Sequence, residues 1–183
     1  FCDNVIVGGG IANTFLLASG KQVGASLVEI EMVDSANKIL QMENVNVPLP
    51  IDVRVAKEFS AEAEATIKSI NEVGEDDLIL DIGPETAESY CNIIDVTKTT
   101  VWNGPLGVFE FSAFAEGTKA LGHAVSLNEG FSIVGGGDTL IYAAGNGLLP
   151  ANGVEITAID NVKVPLAIDG GNTGNGGEIT SKV

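Results

Sequence analysis

The chain has 183 residues, and 25 acidic side chains against 9 basic ones leave a net charge of −16. With 45% hydrophobic and 19% charged residues it reads as one folded domain, or one with a small appendage, rather than a disordered segment. So few cations exclude a broad face for nucleic acid or anionic membrane, and no apolar run approaches the roughly 18 residues of a membrane span.

The opening Phe1–Val7 segment has no basic stretch and no small-residue cleavage site, so no signal peptide is expected. Cys2 and Cys91 lack metal-ligand spacing, and two thiols without an export signal fit a reducing cytoplasm. The lone His123 cannot build a His-based zinc site by itself. Any phosphate site in so acidic a chain must rely on backbone N–H groups, a metal ion or a partner.

Val5-Ile6-Val7 predicts a short strand that stops at Gly8-Gly9-Gly10, with a helix over residues 11–18 ended by Gly20. Val33, Ala36 and Leu40 recur at helical spacing and predict a second helix from about residue 30 to 42. Pro48 and Pro50 break the chain, and residues 51–55 alternate as a strand should. The acidic stretch 60–77 reads as a solvated loop on charge patterning. Leu78-Ile79-Leu80 is a buried-strand run ending at Asp81-Ile82-Gly83, and Pro84 suits the first position of a helix. Ala87, Tyr90, Cys91 and Ile94 share one apolar face of that helix, which makes Cys91 a packing residue rather than a nucleophile.

Thr99 to Trp102 predicts a strand ending at Asn103-Gly104-Pro105. Phe111, Phe114, Ala115 and Thr118 mark another helix. Phe131 to Val134 predicts the next strand, ending at Gly135-Gly136-Gly137-Asp138-Thr139, where a short helix can start. Strands and helices thus alternate at least four times. That implies an α/β fold, a three-layer parallel sheet with helices on both faces in the Rossmann-like manner, with ligands beyond the carboxyl ends of the strands. After residue 145 the character changes. Residues 154–159 and 162–164 alternate as strands around a possible turn at Asp160-Asn161, and Gly170 to Gly177 reads as a flexible loop. The expected organisation is an α/β domain over residues 1–145 and a divergent, strand-rich tail over 146–183, packed on or extending it.

Chemistry concentrates at the strand ends. A glycine triplet followed by a helix is either a tight turn or a phosphate cradle, since free N–H groups and the helix dipole favour an anion. Asp138 is either a helix cap or a partner for a Mg²⁺–nucleotide, because Mg²⁺ prefers carboxylate, water and phosphate oxygens. Thr139 either opens a helix or offers a hydroxyl to phosphate. Glu110 is either a surface residue or an acceptor for ribose hydroxyls, and Trp102 is core. A dinucleotide fingerprint fails, because position 13 after Gly8 and Gly10 is Asn13.

Val101 to Glu110, in the order Val-Trp-Asn-Gly-Pro-Leu-Gly-Val-Phe-Glu, resembles the nucleotide-site signature of phosphoglycerate kinase. Ile6 to Phe15, Leu80 to Thr86 and Ser132 to Thr139 are similar to three more motifs of that family, in the same order, over about residues 3 to 142. The resemblance implies a two-domain enzyme of which this chain is most of the C-terminal, nucleotide-binding half. It implies reversible phosphoryl transfer between 1,3-bisphosphoglycerate and ADP, giving 3-phosphoglycerate and ATP, with Mg²⁺. By the same resemblance Gly8, Gly9 and Gly10 border the adenine, Leu80 contacts the base, and Asn103, Pro105, Gly107 and Val108 line the pocket. Glu110 holds the ribose, Gly135, Gly136 and Gly137 approach the phosphates, Asp138 holds the metal–nucleotide and Thr139 contacts the transferring phosphate.

The expected partner is an N-terminal domain that binds the phosphoglycerate, and this chain begins after the family's Gly-Ala-Lys segment. The piece alone is therefore expected to bind nucleotide weakly and to catalyse almost nothing. The tail past residue 145 departs from the family pattern, so its last phosphate loop is not carried over. The alternative is a non-catalytic nucleotide-binding or assembly module on the same fold.

Overall fold

The computed structural model describes residues 2–148 and 153–156. They form two compact units, one holding the chain up to Tyr90 together with Pro105–Ala120, the other Cys91–Gly104 and the chain from Leu121.

In the first unit, α1 (Gly9–Ala18) is followed by a 3-10 turn at Ile30–Met32 and α2 (Val33–Leu40). Next come β1 (Asp52–Ala56), β2 (Thr66–Ser69), a 3-10 turn at Ile70–Glu72 and β3 (Leu78–Ile82). Then α3 (Pro84–Asp95) begins. α1 is mostly apolar, and residues Ala12 to Leu16, with the polar Asn13 and Thr14 among them, are buried. Gly20 ends it with φ +80, its N–H donating to the Leu17 carbonyl. Leu16, Val23, Val53, Val55, Ile70 and Val73 make one core cluster. Val7, Ala12, Phe15 and Ala36 make a second, and Ala56, Ala63, Leu80 and Phe114 a third. Each buried Val, Leu, Ile or Phe among them contributes roughly 1.5–3 kcal/mol by leaving water, and each Ala less.

Three expectations change here. The Val5–Val7 run is not a ladder strand. Its neighbourhood makes one isolated parallel bridge, Asn4 to Asn46, while Val7 packs against α1 and α2. Pro48 and Pro50 follow Asn46 and have no N–H to extend the pairing. The sheet in this unit is antiparallel rather than parallel, in the order β2-β1-β3. Only a loop separates β1 from β2, and only a 3-10 turn and loop separate β2 from β3, so no helix carries the chain across as a parallel neighbour needs.

The stretch 60–77 is not simply a solvated loop, because it holds β2 and the Ile70–Glu72 turn. Ser69 and Glu72 form a reciprocal capping box there. Asp77 is fully buried and accepts from the Lys68 ammonium at 2.6 Å, the Lys57 ammonium at 2.9 Å and the Gly74 N–H at 2.6 Å. Burial pushes the Asp77 carboxyl up, but these donors together hold it well below the usual carboxylate range.

The second unit carries β4 (Thr99–Asn103), β5 (Phe131–Gly135), α5 (Gly137–Gly145) and β6 (Gly153–Ile156). Between β4 and β5 the chain passes a 3-10 turn at Ser112–Phe114 and then α4 (Glu116–Leu127). The helix expected from Phe111 therefore starts later. β4, β5 and β6 are parallel and in that order, as expected of strands separated by helices. Trp102, Val125, Val134, Leu140 and Ala143 are buried. β6 falls within the tail expected to be strand-rich. The second tail strand at 162–164, the Asp160-Asn161 turn and the Gly170 to Gly177 loop lie outside the described residues. No described helix is long and apolar enough to cross a membrane.

Two outcomes follow from the first unit. Asp52 is buried and accepts from the Glu85 and Thr86 N–H groups at 3.0 and 2.7 Å, so it caps α3 from β1. Asp52→Ala should cost about 2 kcal/mol in thermal or urea unfolding. The folded value of Asp77 is depressed, so its contribution is full above the ordinary value of 3.8 and is lost as pH falls below it. Asp77→Asn should flatten the acid limb of the stability–pH curve in that range.

Candidate functional site

In the first unit the glycine turn at the start of α1 lies against the strip that begins at Pro105. Gly9 N–H donates to the Leu106 carbonyl at 2.8 Å. A Cβ on Gly8 would come 2.7 Å from Leu106 Cα, a distance that only glycine permits. The strip is held again from β3, where Val108 N–H donates to the Leu80 carbonyl at 2.8 Å. It is held a third time from α4, where the buried Thr118 hydroxyl accepts from the Leu106 and Gly107 N–H groups at 3.1 and 3.3 Å. Gly8, Gly9, Gly10, Pro105, Gly107 and Val108 are thus gathered together.

Leu80 is buried. It packs with Ala56, Ala63 and Phe114, and the cavity it borders beside Gly9 and Leu106 holds about 10 Å³, no more than one water. Glu110 is exposed and makes none of these contacts. The sequence reading passed over Leu27. Its side chain lies 3.3 Å from where a Cβ on Gly10 would stand, yet it is 77% exposed, and Ile11 beside it is also exposed. Asn13 Nδ2 donates to the Leu27 carbonyl, and Glu29 N–H donates to Thr14 Oγ1, so two buried polar residues of α1 hold this leucine in place. Its only signal in the sequence was an apolar residue in an interhelical loop, which alone says nothing.

In the second unit Asn103 and Gly135 are paired at the carboxyl ends of β4 and β5. Gly136 follows with φ +87, and a Cβ there would meet Asn103 Oδ1 at 2.9 Å. Thr139 is buried, and its hydroxyl accepts from Gly104 N–H at 2.8 Å, holding the turn after Asn103. Trp102 is core as expected, with Nε1 donating to the Gly104 carbonyl at 2.9 Å. Asp138 is exposed in the first turn of α5.

The helix N-termini are closed in different ways, and α2 follows its 3-10 turn with Asp34 in its first turn and no side-chain cap. α3 is capped by Asp52, and α4 by Asp81, whose Oδ2 accepts from Gly117 N–H at 2.8 Å. Both termini already face an anion of the protein's own. α1 and α5 open from Gly8 and Gly136 with no side-chain cap, and α1 has no acidic residue in its first turn. They can face an anion from outside. Asp138 could share one hard oxygen with a cation brought by such an anion. Among the described residues no group of three His, Cys, Asp or Glu could hold a metal ion unaided.

A family model, phosphoglycerate kinase, matches residues 1–150. The chain belongs to the phosphoglycerate kinase family. Among solved structures, the phosphoglycerate kinase from Coxiella burnetii is 48% identical with a TM-score of 0.77, over 80% of this chain and 39% of that one. The phosphoglycerate kinase from Pyrococcus horikoshii OT3 is 28% identical with a TM-score of 0.69, over 85% of this chain and 40% of that one. The chain therefore spans about two fifths of the length of these phosphoglycerate kinases.

The glycines of the site are open to test. Gly136→Ala should cost about 1–2 kcal/mol in unfolding experiments, because an L side chain is strained at that φ. Gly107→Ala should cost more, about 3 kcal/mol, because its Cβ would come 2.4 Å from Asp81 Oδ1 and 2.6 Å from the Phe114 carbonyl.

Proposed function

We propose that this chain is the nucleotide-binding half of a phosphoglycerate kinase, an enzyme moving a phosphoryl group between 1,3-bisphosphoglycerate and ADP to give 3-phosphoglycerate and ATP. The observation that carries this reading is the division of the helix N-termini. Asp52 and Asp81 close α3 and α4, whereas α1 and α5 open from glycine without a side-chain cap, Gly9 N–H of α1 being taken by the Leu106 carbonyl.

In the first unit, the exposed Leu27 over Gly10 offers an apolar ledge for a base, bordered by Gly8, Gly9 and Gly10. Pro105, Gly107 and Val108 line the strip beside it, and Glu110 accepts from ribose hydroxyls. The part of Leu80 is to hold that strip through its carbonyl, a role that differs from direct contact with the base. In the second unit, the N–H groups at Gly135, Gly136 and Gly137 and the opening of α5 favour phosphate oxygens. Asn103 flanks them, Thr139 holds the turn and has a hydroxyl proton to donate, and Asp138 takes the Mg²⁺ that accompanies the nucleotide. The metal supplies charge neutralisation on the phosphates, which phosphoryl transfer depends on. With only 9 basic residues the chain lacks the cations to do this alone, so transfer calls for the phosphoglycerate-binding half as partner.

A second reading, an assembly module, is favoured by one observation. Val101 and Phe131 are 69% and 46% exposed on one face of the parallel sheet, and such sheets are ordinarily covered on both faces. Light scattering would then show a dimer.

Calorimetric titration with ADP, with and without Mg²⁺, tests the main reading. Saturable binding that Mg²⁺ strengthens is expected, weakened about tenfold in Asp138→Ala, the worth of one charge-assisted contact. Undiminished Mg·ADP binding in that variant would remove Asp138 from the site. No heat at millimolar ADP would remove the nucleotide.

A further inference from the structure

Asp81 sits at the end of β3, buried, and does more than close α4. Its Oδ2 accepts from Gly117 N–H at 2.8 Å and its Oδ1 from Ile82 N–H at 2.9 Å. Thr118 follows Gly117, and its hydroxyl accepts from the Leu106 and Gly107 N–H groups. The Leu106 carbonyl in turn accepts from Gly9 N–H. A continuous path thus runs from one buried carboxylate, through the first turn of α4 and the strip, to the first turn of α1. There is no slack along it. A Cβ on Gly107 or on Gly117 would come 2.4 or 2.3 Å from Asp81 Oδ1, and one on Gly8 would collide with Leu106. A displacement at the carboxylate is passed on rather than absorbed.

We propose that Asp81 is a positioning residue for the Gly8–Gly10 turn and the Pro105–Val108 strip, setting nucleotide affinity through this relay according to its charge. The proposal rests on the nucleotide-binding reading above. Burial pushes the Asp81 carboxyl up to about 7, against the Gly117 and Ile82 N–H groups and the Arg54 charge that pull it down, while Glu116 adds to the rise. Arg54 is its cross-strand neighbour on β1, and Glu116 opens α4. α1 carries no titratable group, and Gly107 and Phe114 face Asp81 with backbone. A protonated carboxyl keeps one carbonyl acceptor, while its other oxygen becomes a donor and a much weaker acceptor, so the hydrogen bond from either Ile82 or Gly117 is weakened. The anchored geometry of Gly117 and Thr118 therefore belongs to the charged form.

The sign separates positioning from mere support. The folded value of Asp81 is raised, so its contribution to stability is full below the ordinary 3.8 and is lost as pH rises toward about 7. Acidification through neutrality thus adds to the stability contributed by this group while it loosens the strip. A merely structural residue would move stability and affinity together.

The test is an NMR titration of the chain over about pH 5.5 to 8.5, with Mg·ADP affinity measured across the same range. The Gly9, Leu106 and Gly107 amides should titrate with the Asp81 carboxyl, and affinity should fall about fivefold toward the acid end. Asp81→Asn should abolish both dependences, and comparison with it removes the nucleotide's own protonation. Thr118→Val should leave Asp81 titrating but silence the Leu106 and Gly9 amides, and Thr118→Ser should restore them. If Asp81→Asn does not fold, the two Thr118 variants decide. Amides that titrate unchanged in Asp81→Asn or in Thr118→Val would overturn the relay. Coupled amides with no nucleotide binding at any pH would uphold the relay and sink the nucleotide reading instead.

Discussion

The first unit depends on two carboxylates placed on neighbouring antiparallel strands. Asp52 on β1 takes the N-terminus of α3, and Asp81 on β3 takes that of α4. A helix N-terminus leaves N–H groups and partial positive charge that must meet something. Meeting them from an adjacent strand fixes each helix to the sheet and removes the glycines Gly83 and Gly117 from any choice, since a side chain there would enter the carboxylate. α1 and α5 instead open from glycine without a side-chain cap.

The acidity has a structural side as well. Of the 9 basic residues, Lys57 and Lys68 converge on a single buried carboxylate, Asp77, which also receives the Gly74 N–H. Ala25 N–H reaches the Asp77 carbonyl, so the same residue ties the chain after α1 to the approach to β3. Two of the scarce positive charges are thus engaged in holding the fold.

Local patterning made the units of the fold legible. The runs at 78–80, 99–102 and 131–134, the Pro84 start, the Gly20 stop and the glycine turns all state preferences within a few residues, and the structure honours each. What a strand pairs with depends on residues far away in sequence. Val5 to Val7 looked like a strand but met prolines where its partner would continue. Thr66 to Ser69 carried a single aliphatic residue and was read as loop, yet β1 offered it a free edge. The parallel arrangement was sound where helices intervene and failed where they do not.

For the candidate site, the sequence by itself determined which residues to consider, the glycine turns, the Asn103 to Glu110 strip and Asp138, and the resemblance to a family, because motif chemistry is written in contiguous residues. Only the tertiary structure decided which helix ends are open. It placed Leu27 over Gly10 and turned Leu80 into the core, and it let Thr139 and Thr118 hold turns by their hydroxyls. Each of those outcomes rests on a hydrogen bond or a packing contact between residues more than ten positions apart, and no local pattern encodes such a partner. The charge of Asp81 is the clearest case. Its neighbours in sequence mark it as the end of a strand. Burial beneath Gly107 and Gly117 is what raises its proton affinity and gives it command of the strip.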